Sequence, residues 1–160
     1  MLGENVGCFI HTLQLVIHDC IFKNQNCIEI LGKCRKIVGH FSHSSLAYSK
    51  LSSIQENLKL PVHKLIQDVT TRWDSTFHML SRLYEQRQAV TAYAVERDIP
   101  TLTAMQWSTI ENIIRVLQPF DEITKITSSD CETIGYVIPA VLILHSYLLK
   151  RQKDAGVVTL

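Results

Sequence analysis

Apolar residues recur at helical spacing through the first third of the chain. Phe9, Leu13, Val16 and Cys20 form one stripe, and Ile10, Ile17 and Ile21 form a second stripe beside it. A helix that is apolar over so wide an arc is expected to be buried on most of its circumference. Similar spacing predicts a second helix over 27–41 and a third over 47–58, after a Ser-rich junction that offers N-caps.

The pattern changes after Pro61, which ends the third helix. The stretch from Val62 to Val69 is short and alternates loosely between apolar and polar residues, as a strand does. A lone strand cannot satisfy its own backbone groups, so this one is expected to pair with a segment absent from the chain. The predicted fold class is mainly α, or α+β with one short strand.

Helix-start motifs organise the second half of the chain. Thr71 and Asp74 form a variant of the capping box, and the helix that follows is predicted to run to about Arg97. Thr103 and Gln106 form a second capping box and open the next helix.

Two prolines affect the helices predicted for the last part of the chain. Pro119 is expected to end or kink its helix, with a shorter helical piece continuing to about Ser128. Pro139 suits the first turn of a last helix. The side chains of that helix predicted to face inward are Val141, Leu144, His145 and Leu148.

Composition sets the class of protein. With 160 residues the chain has the length of one domain, and its 46% hydrophobic residues predict a substantial core. The net charge of +1 excludes a strong global attraction to nucleic acid, although a local basic strip is compatible with it. Five cysteines without a framework spacing, and no leader, predict a reduced intracellular chain. The apolar runs are too short for a membrane span.

Few side chains suggest a metal-binding or catalytic role. Cys8 and His11 share a helix face, but a structural zinc needs four ligands and no second pair follows, so no metal site is predicted. No base and acid accompany a cysteine nucleophile. The candidate carboxylates offer no convincing metal pair, so no catalytic residue is assigned; they are Asp19, Glu29, Asp68, Asp74, Asp121 and Glu122.

Arg72 and Trp73, at a predicted helix start, leave three interpretations open. The ring of Trp73 anchors its helix on the core, or it stacks on an unpaired base while Arg72 holds a phosphate. Alternatively, the two residues anchor a protein partner, because Trp and Arg are common at the centres of interfaces.

Two segments together resemble one family. The run from Cys8 to Val16, CFIHTLQLV, looks like the C-x-x-H-x-L-x-L helix of hAT transposases and of the BED-finger proteins derived from them. The run from Leu65 to Thr76, LIQDVTTRWDST, resembles that family's D-V-x-T-R-W-x-S-T block. The later stretch from Trp107 to Thr124 also fits, so the resemblance covers most of the chain.

The resemblance implies a ribonuclease H-like core with a helical insertion. On that basis 1–75 would be part of the core and 76–160 an insertion-like region. The family's three catalytic acids, which bind divalent metal, would fall outside this chain. It implies nucleic-acid contacts at Arg72, Trp73 and His11, a nuclear location, and no cofactor held by this chain.

The first hypothesis is therefore a catalytically inactive piece of a transposase-derived nuclear protein that retains DNA binding, protein binding or self-association. The second is a piece of an active DNA transposase. The third is an unrelated helical interaction module, which a fully buried Trp73 ring would favour.

Overall fold

The computed structural model describes residues 9–129 and 134–156, and within these ranges the chain is mainly helical. Its elements are α1 (Phe9–Ile17), a π-helix (His18–Phe22), α2 (Gln25–Ser42), α3 (Ser45–Asn57), α4 (Trp73–Glu85), α5 (Arg87–Glu96), α6 (Ala104–Ser129) and α7 (Ile134–Gly156). Helix α3 packs against α2 and α5, while α4 packs against α5 and α6, and α7 against α6. The mainly helical fold class is confirmed.

Helix α1 buries one face only. Leu13 and Ile17 are buried, whereas Leu15 and Val16 are 51% and 49% exposed. Cys20, which the apolar stripe places inward, is exposed in the π-helix that continues α1. The prediction of burial on most of the circumference is therefore wrong within the described residues, because one side of α1 has no partner there.

The strand predicted from Val62 to Val69 is not formed. Residues 60–69 belong to no helix or strand in the part of the chain that the structure describes. The ribonuclease H-like core that the family resemblance implies remains a prediction, as does the division at residue 75.

Side chains of the flanking helices take the place of a neighbouring strand. The buried amide of Gln55 donates to the carbonyl of His63 (3.0 Å), and that of Gln86 donates to the carbonyl of Pro61 (3.0 Å). Arg82 Nη1 donates to the carbonyl of Lys64 (2.9 Å). These bonds satisfy backbone acceptors that a sheet would otherwise pair. We call the three donors Gln55, Arg82 and Gln86 the carbonyl clamp.

Gln86 also divides what the sequence predicts as one helix into α4 and α5. Its φ of −93° and ψ of 12° leave the helical region. Its buried side chain accepts from Gln55 Nε2 at 2.9 Å while donating to Pro61. The break lets α4 pack on α6 while α5 packs on α3.

The helix starts follow the sequence in one case and depart from it in another. The box at Thr103 and Gln106 is confirmed: each side chain bonds the other residue's backbone N–H, at 3.2 and 3.1 Å. Thr71, by contrast, does not cap α4. The N-cap is Arg72, and its side chain makes no capping bond.

Pro119 lies inside α6 and does not end it. Proline has no N–H, so the carbonyl four residues earlier, that of Arg115, loses its helical donor. The hydroxyl of Tyr147 on α7 donates to that carbonyl at 2.7 Å. The defect that Pro119 creates in α6 thus becomes a docking point for α7.

Helix α7 is attached by a narrow strip. Leu144 is buried, but Val141, His145 and Leu148, also predicted to face inward, are exposed. Pro139 falls in the second turn because the helix starts at Ile134. The outer surface of α7 is apolar and comprises Ile138, Val141, Leu142, Ile143, Leu148 and Leu149. No helix among the described residues is long and apolar enough to cross a membrane.

Replacing Tyr147 with phenylalanine should lower the free energy of unfolding by about 0.5–1.5 kcal/mol, because the Arg115 carbonyl loses its donor. Urea denaturation measures the change. Pro119→Ala is the matched background, since it returns an N–H to that carbonyl. A Tyr147→Phe cost of equal size in both backgrounds would contradict the assignment.

Candidate nucleic-acid interface

Asp68 fixes the segment that leads into α4. Its carboxylate, 1% exposed, accepts from Arg35 Nε at 3.1 and 3.0 Å and from Arg35 Nη2 at 2.8 Å. The hydroxyl of Thr76 donates to the same carboxylate at 3.0 Å. A buried carboxylate is tolerated when it is paired and hydrogen-bonded in this way. Asp68 thereby joins α2, the segment before α4, and α4 itself.

Ser75 organises the turn at the start of α4. Its Oγ accepts from the N–H of Val69 at 2.8 Å and lies 2.9 Å from the carbonyl oxygens of Val69 and Arg72. The N–H of Arg72 donates to the Val69 carbonyl at 2.8 Å, which closes the turn. Ser75 therefore closes the turn before α4 but accepts from no N–H of that helix.

Gln14 connects the two motifs that are far apart in the sequence. Its Nε2 donates to the carbonyl of Thr71 at 3.0 Å, and its Oε1 accepts from the N–H of Trp73 at 3.1 Å. The second bond satisfies one of the free donors at the N-terminus of α4. A single amide therefore holds α1 against the first residue of α4.

Trp73 is a core residue in this structure. It is 2% exposed, and the centroid of its ring lies 6.4 Å from that of Phe77. The expectation of a partly accessible ring is wrong for this conformation, since base stacking needs an open face. A stacking role for Trp73 stays a prediction and would require the ring to leave the core.

Arg72 is exposed, unlike Trp73 beside it. Its backbone closes the turn, but its guanidinium pairs with no acceptor among the described residues. Asp68, Trp73, Ser75 and Thr76 all use their side chains or rings to build the junction. Arg72 is the cation of this motif that remains available to a ligand.

His11 is exposed on α1. It precedes Gln14 by three residues and therefore shares its helix face. Since Gln14 contacts the carbonyl of Thr71, His11 lies on the side of α1 that faces the start of α4. Helix spacing thus puts His11 on the same side of α1 as Gln14, whose amide bonds the N–H of the buried Trp73.

The cysteines show no reactive site in the described part of the chain. Cys8, the partner of His11 in the C-x-x-H motif, and Cys131 lie outside the described residues. Burial raises the pKa of Cys34 to about 12, so its thiol is protonated at neutral pH. No group of three or more His, Cys, Asp or Glu side chains with metal-binding geometry occurs in 9–129 or 134–156.

Comparison with known proteins identifies the family. Residues 6–116 match the family described as the ZBED1 RNase-like helical domain. The chain belongs to this family. The resemblance to BED-type proteins derived from hAT transposases is thereby confirmed.

Individual relatives are much longer than this chain. Zinc finger BED domain-containing protein 4 of Homo sapiens is 36% identical over 89% of the chain, which spans 12% of that protein. Zinc finger BED domain-containing protein 6 of Homo sapiens is 34% identical over 93% of the chain and 15% of the relative. The putative transcriptional regulator tpeD of Talaromyces stipitatus is 30% identical over 82% of the chain and 16% of the relative. No solved structure matches significantly.

Trp73→Ala should destabilise the chain by about 3–5 kcal/mol, the cost of removing a buried aromatic side chain. Urea denaturation followed by far-UV circular dichroism measures it. Arg72→Ala, at the adjacent exposed position, should change stability by less than about 0.5 kcal/mol. A Trp73→Ala variant as stable as the parent would show that the ring is not part of the core.

Proposed function

We propose that this chain is a non-catalytic helical domain of a transposase-derived nuclear protein, and that it contributes a nucleic-acid contact centred on Arg72. The names of its relatives support a role in transcription, since they describe BED zinc finger proteins and a putative transcriptional regulator. The domain would act together with the rest of a longer polypeptide, in which a zinc finger would make the principal DNA contact.

The observation that carries this proposal is the isolation of the Arg72 guanidinium. A network of hydrogen bonds holds the backbone at this position, so the side chain projects from a fixed base. Arginine binds phosphate through two parallel N–H donors, and a fixed base reduces the entropy lost on binding. His11, on the same side of α1 as Gln14, would supply a second polar contact.

The absence of catalysis is part of the same proposal. Phosphodiester cleavage of the two-metal type needs acids that converge within about 4 Å of a metal pair. Asp68, the acid of the second motif, is committed to Arg35 and Thr76. It would bind metal only after losing that structural role.

A second candidate function is protein docking, and two observations favour it. The Trp73 ring is buried, so its motif has a packing role and not a base-stacking role in this structure. The apolar outer surface of α7 lacks a partner among the described residues. Apolar surfaces of this kind mark interaction sites. Sedimentation of the chain tests it: self-association lost on Leu142→Lys would support docking, and a monomer at all concentrations would oppose it.

Arg72→Gln should weaken binding of the chain to a hairpin DNA and leave folding unchanged. Removing one phosphate contact should reduce the slope of log Kobs against log salt by about 0.7–0.9. Fluorescence anisotropy at several salt concentrations measures both quantities.

Arg97→Gln is the matched control, because Arg97 is also an exposed arginine but lies beyond α5. It should leave the salt slope unchanged. If the two variants lose equal DNA affinity and salt slope, the effect comes from net charge, and Arg72 is not part of the interface.

The purified chain should not nick supercoiled plasmid in Mg²⁺ or Mn²⁺. Gel electrophoresis of the plasmid measures this. Nicking that disappears in Asp68→Asn would overturn the non-catalytic assignment, whereas nicking that persists in this variant would point to a contaminating nuclease.

A further inference from the structure

A cavity with polar and apolar groups in its wall lies between α2, α3 and the segment that the carbonyl clamp holds. It has a volume of about 440 Å³ and is lined by Phe41, Ser42, His43, Ser45, Tyr48, Lys64 and Leu65. Its wall contains one ammonium group, one imidazole and three hydroxyls, and no carboxylate. This set of groups favours an anion with several acceptor oxygens.

Lys64 is the cation of the cavity. Its Nζ lies 5.0 Å from the centroid of the Tyr48 ring, which is a cation–π contact. It forms no ion pair with an acid among the described residues. Glu85, an acid at the end of α4, pairs with His63 and Arg82 and not with Lys64.

The base of Lys64 is fixed before any ligand arrives. Arg82 holds its carbonyl and Gln55 holds the carbonyl of His63 next to it. The side chain therefore starts from a defined position although it belongs to no helix or strand. Such preorganisation reduces the ordering cost of binding.

His43 presents a defined nitrogen to a ligand. Its Nδ1 lies 2.7 Å from the carbonyl of Gly39, and because a carbonyl only accepts, Nδ1 carries a hydrogen. In that tautomer of the neutral ring, Nε2 is a hydrogen-bond acceptor. Ser42 and Ser45 add hydroxyl donors on the same wall.

We propose that this cavity binds the phosphate group of a nucleotide, with Lys64 as the charged contact and the hydroxyls of Ser42 and Ser45 as hydrogen-bond donors. Phe41, Tyr48 and Leu65 give the cavity apolar surface that suits the body of such a ligand. The phosphate comes from a free nucleotide or from the 5′ end of a DNA strand. This site is separate from Arg72 and does not depend on it.

The test is titration of the 160-residue chain with deoxyadenosine monophosphate, inorganic phosphate and deoxyadenosine, followed by NMR signals of the His43 and Tyr48 rings. The two phosphate compounds should give saturable shifts, and deoxyadenosine should give none. Lys64→Gln should weaken binding about tenfold, as expected for the loss of one charge-assisted contact. This variant keeps the backbone carbonyl that Arg82 holds.

Lys36→Gln is the matched control, since Lys36 is an exposed lysine on α2 that does not line the cavity. Both Lys36→Gln and Arg72→Gln should bind phosphate as the parent does, which separates this site from the DNA contact proposed above. A 5′-phosphorylated oligonucleotide that binds more tightly than its 5′-hydroxyl form assigns the phosphate to a strand end; equal weak binding of the two oligonucleotides assigns it to a free nucleotide. Non-saturable shifts, or equal affinities of the parent and Lys64→Gln, would overturn the proposal.

Discussion

The pairing of Asp68 with Arg35 and Thr76 is the constraint on which the rest of the junction depends. A carboxylate that is 1% exposed is stable there only while both partners remain in place. Arg35 belongs to α2 and Thr76 to the first turn of α4, so the pairing sets how the intervening segment enters α4. The positions of Ser75, Arg72 and Trp73 all follow from that entry.

The same junction explains why a motif that suggests nucleic-acid chemistry serves mainly the fold. Asp68, Ser75 and Thr76 use their side chains on backbone or on one another, and Trp73 fills the core. Hydrogen bonding within the fold and packing in the core thus account for four of the motif's polar or aromatic residues. Arg72 is left exposed by this arrangement, which is why a ligand contact is assigned to it and not to the tryptophan.

Local interactions could be predicted from the sequence, and distant ones could not. The reciprocal bonds of Thr103 and Gln106 span three residues and follow from their spacing. The group that accepts from a free N–H at the start of α4, in place of Thr71, is Oε1 of Gln14, 59 positions from Trp73, and nothing in the sequence near α4 indicates it. Likewise, the continuation of α6 through Pro119 depends on Tyr147 from another helix.

The strand prediction failed for a related reason, and the failure constrains how a longer protein could use this segment. Alternation of apolar and polar residues indicates an extended backbone, but it does not indicate which groups form hydrogen bonds with that backbone. The bonds from Gln55 to His63 and from Arg82 to Lys64 occupy the carbonyls of two successive residues in this segment. A strand supplied from elsewhere could therefore pair only with residues beyond 64, or would have to displace the carbonyl clamp. Displacing it would forfeit about 0.5–1.5 kcal/mol for each bond and leave the buried amides of Gln55 and Gln86 without their backbone acceptors. The clamp thus favours this segment as a support for the exposed side chain of Lys64 over a role as the edge of a sheet.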